Sequence, residues 1–158
     1  MTGERIEDRA RRLIEEGFGH GRREILDELM APDVVEHQRG NASGIDGAKA
    51  VVGQLHRWMS DFELTVEDLA LAGDVVWTRN RGRGVNTGPV MGNPPTGRPV
   101  QVDVFDVLRF RDGRVVEHWG VADQLGLLLQ LGLFGRPAAA PAAGPAGAPA
   151  PGPTTPAH

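Results

Sequence analysis

Residues Val100–Leu133 read VQVDVFDVLRFRDGRVVEHWGVADQLGLLLQLGL, and how this stretch folds back on itself decides the architecture. Val100, Val102 and Val104 alternate with Asp103 and Phe105, and beyond Asp112-Gly113 the alternation resumes through Val115, Glu117, Trp119, Val121 and Asp123. A period of two marks strands, and Asp-Gly between two such runs marks a hairpin turn. The hairpin carries Asp103, Asp106, Arg109, Glu117, His118 and Asp123, so either register leaves ionisable groups on a buried side, where chemistry can occur. A two-residue loop would group Val102, Asp106, Leu108, Glu117, Trp119 and Asp123. A three-residue loop with Gly113 left-handed would group Asp103, Phe105, Arg109, Glu117, Trp119 and Asp123. The second is preferred, because it gives Arg109 a partner in Glu117 and keeps the aromatics Phe105 and Trp119 on one face. Asp123 and Trp119 share a face in both.

Working outward, Leu125, Leu127, Leu128, Leu129, Leu131 and Leu133 read as a short apolar helix after the hairpin. From Arg136 the chain becomes RPAAAPAAGPAGAPAPGPTTPAH, with seven of the twelve prolines, a composition that cannot bury enough surface to fold. The expected division is therefore a folded domain over residues 1–135 and a disordered Pro/Ala/Gly-rich tail over 136–158. Upstream, Ile6, Ala10, Leu13, Ile14 and Phe18 recur at helical spacing behind Thr2 as cap, a second helix runs from Arg22 to Met30 before Pro32, and a third carries Ala48, Val51, Val52, Leu55, Trp58 and Met59 on one stripe. Between them Asp33–Gln38 is extended, placing Val35 and His37 on one side and Val34 and Glu36 on the other. Phe62–Val66 and Val75–Val85 read as strands, the latter with Trp77, Arg79, Arg81 and Arg83 on one face, suited to solvent or a dimer surface. The segment TGPVMGNPPTGRP, holding Met91, is a loop or lid. Three helices, a sheet and a last helix predict an α+β domain, a cone-shaped curved mixed sheet around the helices.

Composition removes several function classes. The 158 residues contain no cysteine and no tyrosine, which excludes disulfides, thiolate metal ligands and a cysteine nucleophile. The five histidines have no metal-binding spacing, so no metal is expected. A net charge of -4 with scattered basic residues offers no nucleic-acid or membrane surface. No apolar run reaches the roughly 18 residues of a membrane-spanning helix, and a charged, amphipathic N-terminus is unlike a signal peptide, giving a soluble, cytoplasmic expectation.

GNPPTGRPV followed by DVLRFRDGRVVEHWGVADQLGLLLQLG resembles the SnoaL-like polyketide cyclases, a branch of the nuclear transport factor 2-like superfamily. The resemblance spans roughly residues 5 to 134 and is looser over PDVVEHQ and GIDGAKA. It implies an α+β cone around a deep apolar cavity, a homodimer, and an aspartate on the last strand acting as general acid/base in a cofactor-free intramolecular aldol ring closure on a small apolar or aromatic substrate. That aspartate falls on Asp123. Many relatives carry Gly-Thr-His where this chain has Gly84-Val85-Asn86. The fold also hosts epoxide hydrolases, dehydratases and non-catalytic binders. Gln101 stands where the epoxide hydrolase pattern requires arginine, and no tyrosine is present, which sets the hydrolase and dehydratase readings below cyclase or isomerase. A small-molecule binding domain remains as an alternative.

The expected catalytic residues are thus Asp123, with His37 as donor to an enolate oxygen and Asp103 as a further acid; His118 stands lower. Asp123 is equally placed to cap the terminal helix. Trp119, Phe105, Val121, Trp58, Met91, Asn86 and Arg109 are the expected pocket residues, Arg109 being most simply an ion pair with Glu117.

Overall fold

The computed structural model describes residues 4–134. Helix α1 (Ile6–Arg12) runs straight into a π-helical segment (Leu13–Gly19), followed by α2 (Arg23–Leu29), β1 (Met30–Glu36), α3 (Ile45–Trp58), β2 (Met59–Ala72), β3 (Val75–Asn86), β4 (Pro99–Arg111), β5 (Arg114–Ala122) and α4 (Gln124–Leu131). This is the expected α+β arrangement, a curved mixed sheet on three N-terminal helices. The expected cap Thr2 and the expected tail 136–158 lie outside the described residues.

The five strands run in the order β1-β5-β4-β3-β2. Only the β1–β5 pair is parallel, Val35 facing Glu117 and Glu36 facing His118, while the others are antiparallel. Register shifts between Ser60 and Glu63 and between Val66 and Asp68 interrupt β2. Such bulges bend and twist a strand, which helps the sheet curl over the helices. Apolar side chains from both layers meet in one core: Leu13, Ile14, Leu26, Leu29 and Val52 from the helices, and Leu64, Val66, Val76, Leu108, Phe110 and Val115 from the sheet. Met59, Val90, Val100, Leu131 and Leu133 close a second cluster beneath α4.

The hairpin turn differs from the preferred reading. Asp112 (φ 51°) and Gly113 (φ 74°) form a two-residue loop, with Arg111 opposite Arg114. Yet Phe110 pairs with Val115 while Arg109 pairs with Glu117, which leaves Val116 as an extra residue in a bulge. The bulge offsets the shorter turn by one residue, so Phe105, Arg109, Glu117 and Trp119 share a face after all. That face is the outer one. Phe105 is 55% and Val121 70% exposed, whereas Leu108 on the opposite face is 2% exposed.

Candidate active site

The concave face of the sheet and the helices enclose a cavity of about 220 Å³. Its walls are mostly apolar, among them Leu13, Ile14, Met30, Trp58, Phe62, Leu64, Val100, Val102, Val104 and Leu108. Into it project Glu36 from the end of β1, Asp106 from β4 and His118 from β5. The strand register accounts for their meeting: Glu36 lies opposite His118, and His118 is opposite Leu108, one inward position from Asp106.

His118 bridges the two acids. Its Nδ1 lies 2.8 Å from Glu36 Oε2 and its Nε2 lies 2.9 Å from Asp106 Oδ1. Both carboxylates can only accept when ionised, so the arrangement is satisfied by an imidazolium donating at both ends. Burial opposes that charge, but the hydrogen bonds that His118 donates to Asp106 and Glu36, with their negative charge, outweigh it and push His118 up to about 9. Burial likewise pushes the Glu36 carboxyl upward, but the hydrogen bond and charge of His118, with the backbone N–H groups of Gln38 and His37, hold it below the usual carboxylate range. Behind Asp106, Asn80 Nδ2 donates to Asp106 Oδ2 (2.6 Å) and to Thr78 Oγ1 (3.0 Å). Asn80 and Thr78 are buried, so Asp106 sits in a fixed orientation. The cluster is two carboxylates around one cation in an apolar chamber, an arrangement in which a proton can be held and moved.

The sequence candidates divide by face. Trp58 lines the cavity. His37, Asp103, Trp119, Phe105, Val121, Arg109 and Met91 are not among its lining residues. His37 follows the inward Glu36 and, by strand alternation, turns outward. There its ring stacks on Trp119 (centroids 4.4 Å apart, planes 7° from parallel) and its Nε2 lies 3.1 Å from Glu117 Oε2. Arg109 donates to Glu117 Oε1 at 2.8 Å and lies 5.5 Å from the Trp119 ring centre, so the ion pair read from sequence is present, on the outer face. His37 and Arg109 together hold the Glu117 carboxyl below its usual range. Asp103 accepts from Arg81, again outside. Asn86 is buried but structural: it donates to Trp58 O and Gly88 O and accepts from Thr96, clasping the base of the 87–98 loop, while Met91 on that loop is exposed.

Asp123 is the N-cap of α4, with its carboxylate accepting from the Gly126 N–H at 2.8 Å. Of its two sequence readings, capping is the one its contacts display. Asparagine caps as well as aspartate, so Asp123→Asn should leave the unfolding midpoint unchanged, and Asp123→Ala should cost about 1 kcal/mol in a denaturant titration. A marked destabilisation by asparagine would contradict capping.

Asp106, Glu36 and Asn80 are the residues sequence reasoning passed over. One signal pointed to Asp106: it interrupts the apolar row Val100, Val102, Val104, Leu108, Phe110 at the same parity, an acid where only apolar side chains are at home. Among the described residues, no group of three or more His, Cys, Asp or Glu side chains is arranged to hold a metal ion, and no helix is long and apolar enough to cross a membrane.

Known proteins share this arrangement of elements. The chain is 37% identical to IdmH of Streptomyces antibioticus, provisionally assigned as a polyketide cyclase, covering 82% of this chain and 99% of that one with a TM-score of 0.74. TsrD from Streptomyces laurentii superposes with a TM-score of 0.71 at 28% identity, over 82% of this chain and 93% of the other. The aklanonic acid methyl ester cyclase DauD of Streptomyces sp. (strain C5) is 28% identical over 132 residues, 79% of this chain and 80% of DauD. The family model for SnoaL-like polyketide cyclases matches residues 8–131, and the chain belongs to that family.

Proposed function

We propose that this protein is a cofactor-free acid/base enzyme that closes a ring in an apolar, polyketide-like molecule by intramolecular aldol addition, or carries out the related isomerisation. The observation that carries the reading is the Glu36–His118–Asp106 cluster set in an otherwise apolar cavity. Asp106 takes a proton from carbon next to a carbonyl; its oxygens already accept from His118 and Asn80, but a carboxylate has lone pairs to spare. The enolate carbon then attacks a second carbonyl of the same molecule, forming one C–C bond and an alkoxide. The proton on Asp106 passes to that alkoxide, so the product is an isomer of the substrate and nothing is consumed. In the isomerase variant the proton returns to a different carbon. His118, held as imidazolium, offsets the negative charge that develops, and the apolar walls strengthen that interaction by excluding water.

The name of DauD makes aklanonic acid methyl ester the first compound to try, followed by other fused-ring β-keto esters. Chromatography with mass detection should show conversion to a product of unchanged mass. Binding of these esters without conversion above the uncatalysed rate would instead support a binding domain, a reading favoured by one feature: both nitrogens of His118 are already engaged.

Trp77, Phe105 and Val121 are exposed on the outer sheet face, and a closed two-fold pairing of copies would cover them. Light scattering at micromolar concentration should give twice the chain mass; a monomer mass removes the dimer.

A further inference from the structure

We infer that Gln38 binds the substrate's carbonyl oxygen beside Asp106, in room that Gly120 leaves by having no side chain. The inference rests on the reading of Asp106 as proton acceptor. Gln38 lies just past β1 and lines the cavity. Its backbone is pinned next to the acid cluster, its N–H donating to Glu36 Oε1 at 2.7 Å and its carbonyl accepting from Asn41 N at 3.2 Å. Gly120 faces Asp106 across β4 and β5, on the inner side of the sheet. A Cβ at Gly120 would stand 2.3 Å from Gln38 Oε1, 2.8 Å from Asp106 Oδ1 and 3.0 Å from His118 Cε1. The end of Gln38 and Asp106 Oδ1, the oxygen that accepts from His118, therefore converge on the space a side chain would fill. Gly120 is not among the glycines of positive φ, so space, not backbone conformation, is what glycine supplies there.

The other donors around Asp106 are committed. Both His118 nitrogens face carboxylates, and the Asn80 amide donates to Asp106 and Thr78. The carboxamide of Gln38 makes no hydrogen bond to any other described residue, and although its Oε1 is the atom beside Gly120, an unheld amide can turn over and present its N–H hydrogens to a ligand oxygen. An oxygen that gains negative charge when its neighbouring carbon loses a proton needs such a donor already in place, and an amide supplies it without adding charge beside the His118 cation. The substrate class this selects is one with a carbonyl or enol oxygen presented edge-on to β5, its ring or chain lying along the apolar walls.

The test compares 1-naphthol with naphthalene as probes of equal shape, one with an oxygen and one without, by equilibrium binding to the full chain. The expected result is that the protein prefers naphthol about tenfold or more, and that Gln38→Leu lowers naphthol affinity about tenfold while naphthalene stays within twofold. Gly120→Ala, which displaces the same carboxamide from the facing strand, should reproduce that pattern. Naphthol affinity within twofold of wild type in Gln38→Leu, or no preference for naphthol in the wild type, overturns the inference. A Gln38→Leu loss that persists alongside normal turnover in Asp106→Asn supports the Gln38 role while rejecting Asp106 as the base.

Discussion

Asp106→Asn is expected to lower turnover by about a hundredfold or more, with substrate affinity changed only a few-fold, because the substitution keeps the shape of the side chain and removes its capacity to take a proton. The surroundings accept the amide. The introduced carboxamide would still offer an oxygen to His118 Nε2, and its NH2 would face Asn80, whose Oδ1 is buried without a partner. Rotating the Asn80 amide would then turn donor against donor into donor against acceptor. The variant should fold, which makes lost turnover interpretable. It should also leave a second mark. His118 is raised to about 9 by two acids, Asp106 first among them, so with one acid gone its titration, followed by NMR of the ring protons, should move toward the ordinary value of 6.5. Full turnover with an unmoved His118 titration would remove Asp106 from the mechanism.

The second large effect concerns stability. His118→Leu leaves Glu36 and Asp106, side chains only 10% and 11% exposed, with no cation between them. Breaking a buried pair by removing one partner costs about 3–5 kcal/mol, and that loss is expected at neutral pH. The pH dependence gives the sign. In the wild type His118 binds its proton more tightly folded than unfolded, so its contribution is complete below about 6.5 and is lost as pH rises through about 9. The melting temperature should fall across that interval. In His118→Leu that alkaline fall should be absent, and acidification should recover stability as one of the two carboxylates takes up a proton. Parallel melting curves for the two proteins between pH 6 and 10 would show that the ionic cluster adds nothing to folding.

Much of the fold was legible because its signals are local. The period of two in Val100–Val104 and Val75–Val85 and the helical stripe from Ala48 to Trp58 each report on a few neighbouring residues and became the elements expected, with Met59 starting β2 instead; Asp112-Gly113 turns the hairpin as expected, but as a two-residue loop and not the preferred three-residue one. The site was harder because it depends on which face looks inward. That choice rests on Val116, an extra residue in β5 that carries no compositional mark, since valine is at home in a paired strand and in a bulge alike. Of the residues read as sharing a face, Asp103, Phe105, Arg109, Glu117 and Trp119 do share it, while Asp123 lies past β5 as a helix cap; but it is the solvent face, because the opposite row, Val102, Val104, Asp106 and Leu108, is the more apolar and buries more surface. Glu36 was out of reach for another reason: its partner lies 82 residues away, and nothing in either stretch announces a parallel pairing.

That pairing sets a clock on the protein. The Glu36–His118 contact joins the first strand to the last, so the acid cluster cannot exist until nearly the whole domain has been made and β5 has docked beside β1. Until then the two acids stand without their cation, and the chamber meant to be dry remains open to water on that side. Non-local closures of this kind come late, since the entropy of joining distant segments must be met before their contacts return anything. Partly folded forms of this chain should therefore keep helices and hairpin while lacking the chemistry altogether, and activity should appear in a single late step rather than growing in with secondary structure.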